Sequence, residues 1–366
     1  MSQLVLDREP DVPDLSASSR RRIYWDWINN ALFYLGFFHK PTIDRDRGCF
    51  FTPYLEGQTN HVNSRWQEVV LPLAWAIRHG VEGVSVKSVW EGVYFWTGLQ
   101  SKSGSFPQYG RYDCDFAATA FSSYAIAVAL GYLRQDCPSQ ARLDHTLDCL
   151  YRSGRWLCKN NERVYSNQQV AAALALVELS LLIDEPDFAC AAREKVEAIC
   201  DPPQESLFLE KKGFDLGYST LSFEMLARYF LRTPSIAQRE LIAESASRYL
   251  RSLRNLDLLR LSGTGTRRTD WIVPGGFEVF VPYLNDGRDL FGKMFSNLDV
   301  KHLPDDRHLH TDLCRLCFAF DNAKTDLTGT VQHNKCINYE IATAKEEANF
   351  RWLRPVGLHR LRGLLQ

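Results

Sequence analysis

Apolar side chains recur along most of this chain at the spacing of three to four residues that is typical of one face of an α-helix. Between Arg20 and Phe38, for example, Ile28, Ala31 and Leu35 fall on one such face. Only two short segments are candidates for β-strands, RGCFFTPYL (47–55) and LDLLRL (256–261). The pattern therefore predicts an all-α protein with about twelve helices, at residues 20–38, 63–79, 84–100, 116–132, 140–157, 168–183, 187–199, 219–231, 236–253, 274–284, 286–296 and 309–320.

No linker rich in Pro, Gly and Ser divides these helices, so the pattern predicts one helical domain rather than two. We expect a loose lead-in over residues 1–18, the helical domain over 19–345 and a basic C-terminal segment over 346–366. Pro355 and Gly357 interrupt the C-terminal segment. These breaks favour a segment that packs on the body of the protein over a helix that lies on a membrane surface.

A polar cluster, often with an aromatic residue, precedes every second predicted helix. A period of this kind leaves room for one helix out and one helix back, and it is typical of repeat architectures. Because neither end carries an obvious polar capping repeat, the sequence predicts a closed ring of six helical hairpins, an (α/α)6 toroid. One residue from each cluster marks the period of 42 to 55 residues: His61, Tyr112, Asn167, Leu216, Arg268 and His310.

In a toroid, the N-terminal ends of equivalent helices converge on the rim of one central cavity. Helix N-termini present unpaired N–H groups and partial positive charge, so this rim favours anionic groups. The alternative is that Ser, Asn and Asp in the clusters are ordinary helix caps. Caps alone do not account for the Tyr, Trp, Gln and His beside them, which are typical of sugar-binding clefts. Four arginines add to the preference for anions: Arg65, Arg111, Arg267 and Arg268.

Charge and cysteine usage exclude several classes of protein. Lys and Arg total 43 and Asp and Glu total 44, so a net charge of −1 gives no general attraction to nucleic acid or anionic membranes. The ten cysteines are scattered, and the single CxxC pair, Cys314 and Cys317, has no second pair at zinc-site distance. This distribution favours buried thiols in a reducing compartment.

The terminus and the hydropathy pattern bear on localisation. The N-terminus lacks the pattern of a signal peptide, and no segment is expected to approach the ~18 uncharged apolar residues of a membrane span. The histidines between His302 and His310 lack the HExxH spacing of a metal site, and no phosphate-binding glycine loop is present. We therefore expect a cytoplasmic protein with no bound metal, no cofactor and no stable membrane insertion.

Three blocks of the chain, YSNQQVAAALALVEL, GFDLGYSTLSFEMLARYF and GTGTRRTDWIVPGGFEVF, resemble a group of bacterial proteins associated with surface-polysaccharide gene clusters. The resemblance covers residues 160–285 and extends, more distantly, to the helical domain of heparinase- and alginate-lyase-type proteins, which are (α/α) toroids that act on uronate polysaccharides. Arg268 stands where the group has Asn, and the lyases' Asn-Asn-His helix start is here Ser166-Asn167-Gln168. The resemblance points to Asn167, Gln168, Asp215, Gly217, Tyr218, Arg267, Thr269 and Glu278.

These residues suit β-elimination from an acidic saccharide. The reaction needs a group that neutralises the uronate carboxylate, a base for the C5 proton and an acid for the leaving oxygen. Tyr218 is the first candidate for base or acid, and Tyr112 is the second. Histidine also suits proton transfer near neutral pH, although a surface role is the alternative for each one. Candidates for binding the carboxylate or the sugar are Asn167, Gln168, Arg267, Arg268, Arg111, Tyr112, Trp271, His61 and His310.

Other functions stay open at this point. Hydrolysis uses paired carboxylates, for which Asp113, Asp115, Asp215 and Asp270 are candidates, and an epimerase would use similar groups. DCDFAATAF (113–121) loosely resembles the aspartate-rich motif of class II terpene cyclases, which are also helical barrels. A third alternative is a toroid that binds a glycan or acts as a scaffold without catalysis. The sequence thus favours recognition, with cleavage or modification, of an acidic poly- or oligosaccharide, and it does not define the sugar or the oligomeric state.

Overall fold

The computed structural model describes residues 14–35, 47–50, 63–110, 112–200, 208, 210–211, 213–254, 265–269, 271–282, 284, 287–296 and 309–327. Over these residues the chain is helical, and only isolated backbone bridges occur in place of strands. Two 3-10 segments also form, Ser64–Val69 immediately before α2 and Arg134–Asp136 after α4. The α-helices in the described ranges are α1 (Ala17–Leu35), α2 (Val70–Arg78), α3 (Val86–Thr97), α4 (Phe116–Leu133), α5 (Gln140–Lys159), α6 (Ser166–Ile183), α7 (Pro186–Cys200), α8 (Leu216–Arg232), α9 (Ile236–Arg254), α10 (Gly275–Phe280), α11 (Arg288–Ser296) and α12 (Leu309–Asn322).

The prediction of an all-α protein with about twelve helices is confirmed for the described residues, and two predicted helices differ in form. The helix expected at 63–79 begins as a 3-10 segment, because Pro72 has no N–H to donate to Glu68 four residues earlier. The helix expected at 274–284 ends at Phe280, because Pro282 has no N–H to donate to the carbonyl of Glu278 four residues earlier. Of the two strand candidates, LDLLRL and most of RGCFFTPYL lie outside the described residues.

The even-numbered helices contact one another in a closed circuit. Helix α6 packs against α4 and α8, α8 against α10, α10 against α12, α12 against α2 and its 3-10 segment, and α2 against α4. The odd-numbered helices pack against them: α1 on α12, α3 on α2, α5 on α4 and α6, α7 on α6, and α9 on α8. Helix α11 contacts α10 through the stacked rings of Phe277 and Phe291.

Burial distinguishes these two sets of helices. Helix α6 buries residues around its whole circumference, including an unbroken run from Gln169 to Leu179. Helices α5 and α7 instead bury one stripe, as expected for helices that have one face in solvent. The apolar core therefore lies between the even-numbered helices and the inward faces of the odd-numbered ones.

A buried ion pair ties the first helix to the second half of the chain. Arg20 of α1 donates from Nε to Glu278 Oε1 of α10 over 2.9 Å and from Nη2 to Oε2 over 2.9 Å. Tyr24 donates its hydroxyl to the same Oε1 over 2.8 Å. The side chains of Arg20 and Glu278 are fully buried. Glu278, one of the positions suggested by the resemblance, thus joins helices in this fold.

Two helices overturn the expectation that no segment approaches the length of a membrane span. Helix α4 carries 18 consecutive residues without a charged side chain. The segments Phe116–Asp136 and Ser166–Ile183 are both long and apolar enough to cross a bilayer, but 78% of each apolar window is buried inside the protein. Burial of this extent is also what core helices of globular proteins show, so length and composition here are weak evidence for a span.

Candidate functional site

Asp215 fastens the loop at 265–269 to the start of α8. Its carboxylate caps α8 by accepting from the backbone N of Tyr218 over 3.3 Å, and it accepts from the backbone N of Arg267 over 2.7 Å. The hydroxyl of Thr269 donates to the same carboxylate. Gly265 allows this close approach, because a Cβ there would lie 2.7 Å from the Asp215 Cα. Asp215 is fully buried, and these bonds hold the loop against the start of α8, while its proposed catalytic role stays a prediction.

The anchored loop holds Arg267 beside two aromatic rings. Nη2 of Arg267 lies 3.4 Å from the hydroxyl of Tyr218, and the guanidinium carbon lies 4.7 Å from the centre of the Tyr218 ring. The ring of Trp271 meets that of Tyr218 edge-on, with 5.3 Å between centroids. Arg315 of α12 covers the other ring, with its guanidinium carbon 4.7 Å from the centre of Trp271. Two cations therefore flank a pair of aromatic rings at this point, an arrangement that is itself favourable.

Glu210 completes the site, although the sequence analysis did not select it. Its Oε2 accepts from Nδ2 of Asn167 over 2.7 Å, and its Oε1 accepts from Nη1 of Arg267 over 3.2 Å. The side chain is almost completely buried. Burial raises the pKa of Glu210 to about 7, against the lowering effect of Arg267, while the charge of Asp215 adds to the increase. A carboxyl group with a pKa near neutrality is characteristic of functional sites.

Sequence periodicity had no means of finding Glu210. The residue stands in a tight turn that pairs it with Gly213 and Tyr165, outside any helix. Its partners Asn167 and Arg267 are 43 and 57 residues away. The feature of the sequence that could have pointed to Glu210 is its position five residues before Asp215, the N-cap of α8, at the edge of the polar cluster.

Arg65 and Tyr109 extend the site from the first two clusters. Burial lowers the pKa of Arg65, but its ion pair with Glu68 at 2.6 Å and the nearby groups of Tyr218 and Asp115 raise it above the ordinary value. Burial and the charge of Asp115 raise the pKa of Tyr109 above its ordinary value. Arg65 and Arg267 act in the opposite direction and lower this pKa. These mutual effects require that the four clusters supplying the residues lie near one another. Tyr109 was another residue that the sequence analysis did not select.

The two aspartates of the second cluster support the local backbone. Asp115 caps α4 by accepting from the backbone N of Ala118 over 2.6 Å, and burial raises its pKa. Asp113 accepts from the backbone N of Tyr109 over 3.1 Å and of Gln108 over 3.4 Å, which shapes the loop before α4. The alternative interpretation of the clusters as helix caps therefore holds for Asp115, as it does for Asp215.

Several predicted residues lie apart from this arrangement. Tyr112 has 89% of its surface exposed, and in the described ranges it has no hydrogen bond or ring contact with the site. Arg268 is exposed and has a left-handed backbone with φ of 55°, a conformation more readily adopted by Asn, the residue of the resembling group. Gln168 is half-buried, and its neighbour Gln169 instead bonds to the 160–162 loop. Arg111, His61, Asp270 and the His310 side chain lie outside the described residues.

The space beneath the site is nearly filled. A cavity of about 20 Å³ lies between the 3-10 segment, α4, α8 and α12, lined among others by Arg65, Tyr124 and Arg228. It has room for about one water molecule. In the wall of this cavity, Arg228 forms an ion pair with Glu224 at 2.5 Å and donates to the Tyr124 hydroxyl over 2.8 Å. This cavity is therefore too small for a sugar ring.

Metal chemistry gains no support within the described part of the chain. No group of three or more His, Cys, Asp and Glu side chains there could hold an ion. Cys314 and Cys317 are thiols whose pKa values are raised by burial, and Cys314 donates to the backbone O of Glu68 over 3.6 Å. Comparison with protein-family models, with curated proteins and with solved structures gives no match to the chain.

Proposed function

We propose that the even-numbered helices form the inner ring of an (α/α)6 toroid whose rim binds an acidic, uronate-containing saccharide. The closed circuit of contacts from α2 through α12 supports the ring. The observation that carries the saccharide proposal is the cluster of Arg267, Tyr218 and Trp271, in which a half-exposed guanidinium lies against aromatic faces. We refer to these three residues, with Arg65, Tyr109, Asn167, Glu210 and Arg315, as the rim site.

The chemistry of the rim site suits both parts of such a ligand. The exposed ring of Tyr109 offers a stacking surface for a sugar ring, and Trp271 is half-exposed beside Tyr218. Arg267 offers a planar fork of N–H donors that matches a carboxylate, and its long contact of 3.2 Å with Glu210 leaves it able to take a second partner. Arg65 and Arg315 add positive charge around the same rings.

Elimination is the reaction that these groups would perform. Arg267 would neutralise the uronate carboxylate, which acidifies the C5 proton. Tyr218, with Arg267 stabilising negative charge on its oxygen, would take that proton, and the electron pair of the C5–H bond would pass to the neutralised carboxylate as an enolate. The C4–C5 double bond then forms as the C4–O4 bond breaks, and Tyr218 returns the proton to the departing O4. One tyrosine thus serves as base and then as acid, and no cofactor is required.

The competing reactions are less well supported. Hydrolysis needs two carboxyl groups that reach the sugar, whereas Asp215 is fully buried and Asp115 caps a helix. A terpene cyclase needs an apolar chamber for a polyprenyl chain, whereas the central cavity holds about 20 Å³ and is lined by arginines. Binding without catalysis uses the same rim site and differs only in the absence of product.

Calorimetry with matched ligands tests the proposal. Wild-type protein is titrated with oligomers of galacturonate, guluronate and glucuronate-containing disaccharides, and with neutral cello-oligosaccharides as the control ligand. We expect binding of at least one acidic series and none of the neutral series. Arg267→Met should weaken it at least about tenfold, since it removes a charged hydrogen-bond donor, and Arg193→Met, an exposed change on α7, should leave it unchanged.

The product distinguishes the reactions. Elimination gives an unsaturated uronate with strong ultraviolet absorbance. New reducing ends without this absorbance would instead show that the reaction is hydrolysis. Failure of the whole acidic panel to bind at any pH tested would overturn the proposed function. Equal binding by Arg267→Met and wild type would show that the ligand does not bind at the rim site.

A further inference from the structure

A second cavity borders the rim site near Tyr165. It lies between the end of α5, the 160–165 loop, the start of α6 and α7, and it has a volume of about 420 Å³. This volume is within the range of small-molecule binding sites. Tyr165 lines the cavity, and its ring centre lies 5.9 Å from the guanidinium carbon of Arg267. Among the described residues, no member of the rim site lines this cavity.

Lys195 of α7 is the unusual member of this cavity. It is 97% buried, with a relative exposure of 3%. Its Nζ donates to the backbone O of Asn160 over 2.7 Å and to Oδ1 of Asn161 over 2.6 Å. The ring of Phe116 lies 5.8 Å from the same nitrogen. An ammonium group has three N–H donors, so these contacts leave one donor for the cavity that Lys195 lines.

Among the described residues, no carboxylate lies within ion-pair distance of Nζ of Lys195. Glu194 is its neighbour in α7 but is exposed, and Glu162 of the loop turns its carboxylate to the backbone N of Val164 over 2.7 Å. Buried charges in proteins are ordinarily paired, because an unpaired ion loses its hydration without compensation.

The pKa of Lys195 reflects that missing partner. Burial lowers the pKa to about 8, while Cys158 of α5 and Glu194 of α7 act weakly in the opposite direction. The positive Arg163 lines the same cavity. A buried lysine with a perturbed pKa that lines a cavity is a candidate for a binding site.

The start of α6 adds donors to the same cavity. Ser166, its first residue, lines the cavity, and the N-cap residue Tyr165 provides no side-chain cap. The backbone N–H groups of Gln168 and Gln169 both donate to the backbone O of Tyr165, so only those of Ser166 and Asn167 have no acceptor among the described residues. These donors are independent of Lys195 and favour the same kind of group, one with negative charge.

We propose that this cavity binds a small anion, through a carboxylate or phosphate group that accepts the third N–H of Lys195. The ligand supplies the negative charge that the described protein groups do not, and Arg163 and the start of α6 lie along the same wall. Binding stabilises the ammonium form. Affinity therefore falls as pH rises through and above the pKa of the unliganded lysine, because a proton must then be taken up with the anion.

Lysine-specific NMR on the full chain tests the proposal directly. With ¹³C-labelled lysine, the Lys195 signal is followed against pH in buffer without oxyanions, then with inorganic phosphate, and separately with acetate. We expect titration near pH 8 without the anion and an increase in pKa of about one unit or more with it, which corresponds to a tenfold preference of the anion for the ammonium form. The two anions distinguish a phosphate site from a carboxylate site.

Lys195→Met provides the matched variant, and Lys159→Met, an exposed change at the end of α5, is its control. Calorimetry should show at least tenfold weaker anion binding for Lys195→Met and no change for Lys159→Met. Replacement of an unpaired buried charge by an apolar side chain of similar length is compatible with folding. Two results would overturn the proposal: a Lys195 pKa that neither anion moves, or anion binding that survives Lys195→Met intact. Neither result bears on the rim site, because Arg267 remains in both variants.

Discussion

Arg267 donates from Nη1 to Oε1 of Glu210 over 3.2 Å, across a sequence separation of 57 residues. The partner of this arginine is a carboxyl group whose pKa is raised by burial to about 7. The two residues therefore form a full ion pair only at pH values above neutrality. Since Arg267 is also the group proposed to hold the ligand carboxylate, protonation of Glu210 releases it for that role.

The first prediction concerns ligand binding by the rim site. Lowering the pH from about 8 to about 6 should strengthen the binding of an acidic oligosaccharide several-fold, because neutral Glu210 no longer competes for Arg267. Glu210→Gln should bind at neutral pH as wild type does at the lower pH, and its affinity should change little with pH. Calorimetry at several pH values measures both, with the exposed Glu244→Gln as the control. A wild-type pH dependence that persists in Glu210→Gln would contradict this mechanism.

Glu210 also affects stability, with a sign that follows from its pKa. The folded-state pKa of about 7 lies above the ordinary value of 4.5, so the folded protein binds more protons than the unfolded chain between these values. The free energy of unfolding should therefore decrease as pH rises through this range, by at most about 3 kcal/mol from this one group. Urea denaturation at several pH values should show a smaller decrease for Glu210→Gln than for wild type.

The second prediction separates chemistry from binding at Tyr218. Tyr218→Phe keeps the ring against Trp271 and removes only the hydroxyl near Arg267. The rate of elimination should fall by about a hundredfold or more while KM changes little, since the loss of a proton-transfer group affects the transition state. Tyr112→Phe, at a position with 89% exposure, is the matched control. Undiminished turnover by Tyr218→Phe would show that Tyr218 contributes its ring to binding but no proton transfer.

The third prediction concerns Asp215 as the anchor of the 265–269 loop. Asp215→Ala removes the α8 cap and leaves the backbone N of Arg267 and the hydroxyl of Thr269 without their acceptor. We expect a loss of about 2–4 kcal/mol in the free energy of unfolding, together with weaker ligand binding as Arg267 is displaced. Asp113→Ala removes only longer bonds to an exposed loop and should cost less than about 1 kcal/mol. Equal losses for the two variants would refute the anchoring role.

The fourth prediction addresses the link between the first helix and α10. Arg20→Met leaves the fully buried Glu278 without its cation, which should cost about 3–5 kcal/mol. Arg22→Met, an exposed change in the same helix, should have little effect in the same urea denaturation. The double variant Arg20→Met with Glu278→Gln should recover part of the loss, because no buried charge then lacks a partner. Full wild-type stability of Arg20→Met would show that the pair does not hold these helices together.

The sequence by itself determined the helices and most of their starting points. The apolar spacing that predicted α4, α5 and α9 is a property of neighbouring residues, and so is helix capping. A cap such as Asp115 bonds to a backbone N three residues later, so the clusters that mark the helix starts were visible in the chain. The two helices that differ, before α2 and at α10, contain prolines whose effects on neighbouring backbone alter the form of a helix and not its existence.

Only the tertiary structure decided which polar residues meet. Glu210 acquires its pKa from burial against residues 43 and 57 positions away, and the contacts of Lys195 among the described residues follow from how α5, α6 and α7 pack. The small volume of the cavity between α4, α8 and α12 likewise results from Arg228, Glu224 and Tyr124, which periodicity marks only as helix residues. Helix formation depends on interactions across three or four residues, whereas burial and charge pairing are sums over segments that are distant in sequence. Local pattern therefore specified the elements, and packing specified their chemistry.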